Sequence, residues 1–232
     1  MSDASFDVIE VRADLEAENE RFAAQVRDLT ARKGNSLINL MASPGAGKTT
    51  LLCRMIDALS SEYRVGVVEA DMDADVDSHT VTAHGAKALQ LRTGTSCHVD
   101  AKMMLRGLEC FEPPLPDVII LENVGNLVCP AEFDVGADLK LMILSVPEGD
   151  DKPLKYPLMF QVSDLMVINK IDTAPIFDFD IEKCKERVRG LNPAMEVFPL
   201  SAKTGEGIAS FLSRLEHLIA ETLGKKRKGA VK

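Results

Sequence analysis

Seven short apolar runs punctuate the chain, at residues 37–42, 65–70, 88–92, 118–122, 139–146, 165–169 and 197–201. Each has the length of a strand, and most are apolar at consecutive positions rather than at alternate ones, the pattern of a strand covered on both faces. Helical or loop segments separate them. Buried strands alternating with helices predict an α/β fold, an open, mostly parallel sheet with helices on both faces. In such sheets ligands lie beyond the carboxyl ends of the strands, so the residues that follow each run are the ones to read for chemistry.

Ahead of the first run, residues 12–33 are rich in helix formers, and Leu15, Phe22, Val26 and Leu29 are spaced for one apolar face. Gly34-Asn35 predicts the stop. The EPPLP stretch at 112–116 reads as a connection into the run at 118–122.

The first run leads into SPGAGKTT and then into the amphipathic LLCRMIDALS. Strand, glycine-punctuated turn and helix in that order make a phosphate cradle, the signature of the P-loop NTPase fold. Gly45 and Gly47 let backbone N–H groups turn inward, with Ala46 between them. Lys48 is placed for the β- and γ-phosphates, the Thr49 hydroxyl for Mg²⁺, and Thr50 for the start of the helix. Ala42 stands where the usual pattern has its first glycine, and Pro44-Gly45 supplies the turn.

The other run ends carry polar residues of matching kinds. Asp71 follows the second run, with Asp73, Asp75 and Asp77 close behind; spacing does not choose among them as a Mg²⁺ contact, and Asp71 is preferred because it directly follows the run. Glu122 closes the fourth run, where a buried carboxylate calls for a cation or water, and Gly125 allows close approach to the γ-phosphate. Asn169-Lys170-Ile171-Asp172 closes the sixth. A carboxylate at Asp172 can accept from guanine N1–H and the 2-amino group, which adenine does not offer; Lys170 can lie along the base and Asn169 can tie this loop to the phosphate loop. Ser201-Ala202-Lys203 ends the seventh, with the Ala202 N–H expected to meet the base carbonyl. Together these loops predict binding and hydrolysis of GTP, with Lys48, Thr49, Asp71 and Glu122 at the reaction. No side chain is singled out as the group that positions water.

Cys97-His98 precedes a predicted helix beginning near residue 99, whose dipole is expected to favour the thiolate, and Cys129 lies seven residues beyond Glu122. Thiolate and imidazole suit Ni²⁺ or Zn²⁺. If the three converge, each subunit offers three ligands and leaves one position for water or a second subunit. Cys53, Cys110 and Cys184 read as packing residues, and His79, His84 and His217 as surface or satisfied residues.

Composition narrows the reading further. The chain has 27 Lys and Arg against 36 Asp and Glu, a net charge of −9, so a nucleic-acid partner is not expected. The one basic run, Lys225-Lys226-Arg227-Lys228, reads as a solvated helix end. No apolar run reaches membrane-spanning length and the start is acidic, so no membrane role is expected and the protein is placed in the cytoplasm. Five cysteines do not describe a disulfide framework.

The motifs SPGAGKTTLL, TGTSCHVDA, ENVGNLVCPAEFD, SVPEGDDKPLKYP and NKID, spread over most of residues 36–220, resemble the HypB family of hydrogenase maturation factors, nickel-handling metallochaperone GTPases. The pairing of CHVD with ENVGNLVCP is far more specific than the phosphate loop. The resemblance implies a GTP-dependent homodimer, slow hydrolysis, and transfer of nickel to the large subunit of a nickel–iron hydrogenase with a nickel-binding maturation partner. Many relatives carry an N-terminal cysteine motif or a histidine-rich tract; MSDASFDVIEVRAD has neither, so the predicted metal site is the one at Cys97, His98 and Cys129. The expected organisation is an N-terminal segment and helix at 1–35, a GTPase domain with the metal site at 36–224, and a basic tail at 225–232. A related GTPase serving urease or a cobalamin-dependent mutase, a P-loop small-molecule kinase, and a metal-binding scaffold with vestigial hydrolysis remain as alternatives.

Overall fold

The structure, a computed structural model, describes residues 11–71 and 76–229, without the side chains of 11–13, 71 and 76–79. Every apolar run is a strand: β1 Ser36–Ala42, β2 Val65–Asp71, β3 Lys87–Arg92, β4 Val118–Glu122, β5 Leu139–Ser145, β6 Leu165–Asn169 and β7 Glu196–Pro199. They form one sheet in the order β3-β2-β4-β1-β5-β6-β7. All neighbours pair in parallel, including the edges, where the sequence predicted only a mostly parallel sheet. Two run ends fall short: Val146 opens a 3₁₀ turn, and Leu200 and Ser201 lie past β7.

The helices are α1 Val11–Lys33, α2 Lys48–Leu59, α3 Val76–Ala83, α4 Ala101–Glu109, α5 Cys129–Glu132, α6 Lys152–Lys155, α7 Pro157–Val162, α8 Ile181–Leu191 and α9 Ile208–Gly229. The central strand shows how the layers form. Ile38, Leu40 and Ala42 point into a core shared with Leu52 and Ile56 of α2 and Phe211 and Leu215 of α9. Leu37 and Met41 point the other way, Leu37 toward α1 and α4, and Met41 toward α7 and α8. Alternate residues of one buried strand thus serve opposite layers, which is why the run is apolar throughout.

Two features of α1 differ from the sequence reading. Leu15 is exposed, and the buried strip runs through Ala23, Val26 and Thr30, because α1 meets the body chiefly through its second half. Its end is a Schellman cap: Gly34 at φ 68° donates to Ala31 and Asn35 donates to Thr30 at 3.0 Å. The basic run at 225–228 is the last part of α9 and is not fully solvated. Lys226 Nζ reaches Thr30 Oγ1, the Asn35 carbonyl and Asp138 Oδ2 at 2.9, 2.9 and 2.7 Å, fastening α9 to the end of α1 and the entry of β5. Among the described residues no helix is long and apolar enough to cross a membrane.

Candidate nucleotide and metal site

The chain leaves β1 at Ala42 and turns through Gly45 and Gly47, at φ 73° and 97°, before α2 opens at Lys48. Gly47 caps α2 without a side-chain hydrogen bond, so the first-turn N–H groups face the loop and can take phosphate oxygens. Glycine is required at 47: a Cβ there would lie 2.5 Å from Asn169 Nδ2. That amide nitrogen donates to the Ala46 carbonyl at 2.9 Å, and Lys170 Nζ donates to the Gly45 carbonyl at 2.6 Å. Asn169 and Lys170 therefore brace the phosphate loop from the end of β6, Lys170 itself standing in the left-handed region at φ 64°.

Thr49 Oγ1 donates to Glu122 Oε1 at 3.0 Å. A hydroxyl and a buried carboxylate meeting at the mouth of a phosphate loop are the hard-oxygen pair Mg²⁺ favours, so the two residues fit that ion. Asp71 is the last residue of β2; its side chain, that of Asp77, and the whole of Asp73 and Asp75 lie outside the described residues. Asp172 is exposed in a 3₁₀ turn after Lys170. Nearby, Arg54 of α2 donates to the carbonyls of Ala202 and Lys203 at 3.2 and 3.3 Å, holding their loop. Thr49, Thr50, Arg54, Ala202 and Lys203 border an open cleft of about 540 Å³. One expectation changes: the Ala202 N–H donates to Asn169 Oδ1 at 3.0 Å. It belongs to the tether between the two loops, and a base carbonyl would have to share it. Ser201 is buried, its Oγ accepting from the Thr204 N–H at 3.2 Å, and shapes the turn.

Cys97, His98 and Cys129 converge, with ligand atoms all within 4.8 Å of one another and the two sulfurs 3.0 Å apart. His98 stacks on Phe133 at 4.2 Å between ring centroids. Burial, the largest cause, lowers the His98 pKa against the pull of Asp100 and Glu132, favouring the neutral imidazole that binds metal. The Cys97 side chain, then burial, raises the Cys129 thiol. Relative to the expected start near residue 99, α4 opens at Ala101 and Asp100 caps it, accepting from the Met103 N–H at 2.7 Å, so Cys97 lies three residues before the cap.

Of the remaining cysteines, Cys53 and Cys184 are buried, and burial pushes Cys184 up to about 12. Cys110, expected as a packing residue, is exposed because it ends α4. His84 is paired with Asp57 at 2.6 Å.

Asparagines that the sequence reading did not single out connect the two halves of the site. Asn123, fully buried, accepts from the Val99 and Val124 N–H groups at 3.1 and 2.9 Å and donates to Asn39 at 3.2 Å. Asn126 bonds its N–H to the Ala42 carbonyl at 2.9 Å and its side-chain nitrogen to the Cys97 carbonyl at 3.2 Å. Gly125 lies so close to the phosphate loop that a Cβ would come within 3.0 Å of Pro44. Neutral amides carry no periodicity; position after a buried strand was the one signal available for Asn123.

A phosphate cradle and a cysteine–histidine cluster with the geometry to hold a metal ion thus meet across one loop, 122–129, on a P-loop nucleotide-binding fold. Residues 36–199 match the family described as CobW/HypB/UreG, nucleotide-binding domain, and the chain belongs to that family, as a relative of its HypB members. Hydrogenase maturation factor HypB of Azotobacter chroococcum is 43% identical over 209 residues, covering 90% of this chain and 68% of the relative. The crystal structure of HypB from Archaeoglobus fulgidus superposes with a TM-score of 0.82 at 36% identity, over 88% of this chain and 99% of that one. HypB from Helicobacter pylori in complex with nickel gives 0.78 at 35% identity, over 92% and 97%.

Proposed function

We propose that this protein is a GTP-hydrolysing nickel metallochaperone that couples GTP binding and hydrolysis to nickel insertion during hydrogenase maturation. The observation that carries the reading is the wiring of Cys97, His98 and Cys129 to the phosphate loop through Asn126. Names of relatives add the cargo: a HypB structure holds nickel, and the curated relatives are hydrogenase maturation factors.

Roles divide along the site, within residues 36–224. The N–H groups of Gly45, Ala46, Gly47, Lys48, Thr49 and Thr50 and the Lys48 ammonium take the phosphates, stabilising charge as the terminal phosphate leaves. Thr49 and Glu122, with Asp71, hold Mg²⁺, which when bound neutralises phosphate charge. Asn169, Lys170, Asp172, Ser201, Ala202 and Lys203 form the guanine end, Asp172 reading the base. Cys97, His98 and Cys129 bind Ni²⁺, with Zn²⁺ able to occupy the same three ligands. Three ligands leave a tetrahedral or planar site one short, which a second copy of the chain can complete in a GTP-dependent homodimer. Turnover is slow, the setting is cytoplasmic, and the partners are a nickel-binding maturation protein and the hydrogenase large subunit.

The test is a nickel titration of the protein with GDP and with a non-hydrolysable GTP analogue, following stoichiometry and mass together, beside Cys129→Ala. Nucleotide-dependent affinity that disappears in the variant supports the reading. Equal nickel binding in both nucleotide states, indifferent to Cys129, removes it.

A further inference from the structure

One side chain of the N-terminal helix bridges the two segments that flank the Cys97–His98–Cys129 cluster. Asn19 of α1 accepts the Ala101 N–H at Oδ1, 2.9 Å, and donates from Nδ2 to the Asp134 carbonyl, 2.8 Å. Ala101 opens α4 three residues after His98. Asp134 follows Phe133, whose ring stacks on His98 and which caps the short helix α5 that begins with Cys129. One amide therefore spans the two chain segments that carry all three ligand atoms.

The orientation of that amide is fixed by its partners. An N–H faces its oxygen and a carbonyl faces its nitrogen; reversing it would set donor against donor and acceptor against acceptor. A carboxylate keeps half the arrangement and an alkyl group keeps none. Other contacts from α1 hold the same two segments: Arg27 bonds the Asp134 carboxylate at 2.8 Å, and Lys102 Nζ lies 5.4 Å over the Phe22 ring. Asn126 joins the segments on the phosphate side through Cys97, whereas Asn19 joins them on the far side.

We propose that Asn19 is a positioning residue of the metal centre: it fixes the distance between the Cys97-His98 loop and the Cys129 segment, so that the N-terminal helix sets nickel affinity independently of the nucleotide. The inference rests on the reading that this cluster binds nickel. Groups hydrogen-bonded directly to metal ligands change affinity by about 10- to 100-fold when removed; Asn19 acts through the segments that carry the ligands, so the lower end of that range is expected.

The test uses the full chain in four forms: wild type, Asn19→Ala, Asn19→Asp and Cys129→Ala. Nickel affinity is measured by competition with a chromophoric chelator, together with the sulfur-to-nickel absorption band and GDP affinity. Both Asn19 variants are expected to bind nickel about ten-fold or more weakly, with a shifted band and GDP affinity unchanged. Asn19→Asp keeps the side chain's shape and its acceptor, so it serves where the alanine variant fails to fold. Unchanged nickel affinity and band in both Asn19 variants, with binding lost in Cys129→Ala, overturns the role of Asn19. Binding that survives Cys129→Ala overturns the metal reading itself. A parallel fall of nickel affinity, GDP affinity and melting temperature also overturns the assignment, since it marks general loosening of the fold.

Discussion

Asn126 donates its side-chain amide to the carbonyl oxygen of Cys97 at 3.2 Å. Its own N–H is held by Ala42 at 2.9 Å, at the point where β1 gives way to the phosphate loop. A shift of the loop after β4 therefore pulls on the backbone of Cys97, a proposed metal ligand. Linkage makes the effect mutual, since whatever free energy the nucleotide state contributes to nickel binding, nickel returns to nucleotide binding.

Asn126→Ala is expected to bring the ratio of nickel affinities in the GDP and GTP-analogue states close to one, while leaving GDP affinity nearly intact. Paired titrations in the two nucleotide states measure that ratio. A ratio equal to that of wild type would show that coupling travels by another route.

Gly47→Ala should damage the nucleotide site directly. A Cβ at that position meets Asn169 Nδ2 at 2.5 Å, on a backbone at φ 97°. The strain is expected to cost about 1–3 kcal/mol of stability. Displacing Asn169 also frees the Ala46 carbonyl and the Ala202 N–H, so affinity for a fluorescent GDP analogue should fall by about ten-fold or more, a loss of about 1.4 kcal/mol. Urea unfolding and equilibrium binding read the two effects separately.

Asp172→Asn should change which purine is preferred. A carboxylate can accept two hydrogen bonds from guanine, from N1–H and the 2-amino group; an amide offers one acceptor and one donor and suits xanthine, which carries a carbonyl where guanine has its amino group. Competition of XTP and GTP for the variant checks this. Retained preference for GTP would move base recognition away from Asp172.

Nickel affinity should rise with pH. Metal binds sulfur that has lost its proton and imidazole that carries none on the ligating nitrogen. Burial lowers the His98 pKa, so protons compete little for that ring at neutral pH. The Cys97 side chain raises Cys129 above the ordinary thiol value, so its proton must be expelled on binding. The apparent affinity is therefore expected to climb through the usual thiol range and beyond it, without a step at the ordinary histidine value. Nickel titrations across pH, with proton release measured in buffers of different ionisation enthalpy, test the slope.

The five inner strands were legible because they are buried on both faces and so are largely apolar, whereas the edges β3 and β7 are only partly buried; β1 alone supplies Leu37, Met41 and Ile38 to three separate cores. The convergence of Cys97, His98 and Cys129 was anticipated from adjacency and motif, and their geometry could be judged only once the loops stood side by side. Helix starts were harder. Capped by Asp100, α4 opens at Ala101, two residues later than the residue-99 start anticipated, which moves Cys97 further from the helix end. Hidden entirely were the amides Asn19, Asn39 and Asn126, whose worth depends on which backbone groups tertiary packing leaves within reach. Leu15 misled for the related reason that an apolar residue at helical spacing is not obliged to face the body.

The strand order seats β1 in the middle, with β4 and β2 on one flank and β6 and β7 on the other. On the proposed reading, purine recognition belongs to the β6–β7 flank and sulfur ligation to the opposite one, so the two share no residue. On that reading, a compound lodged against the β6–β7 loops is expected to block turnover without occupying any of the three metal-ligand positions.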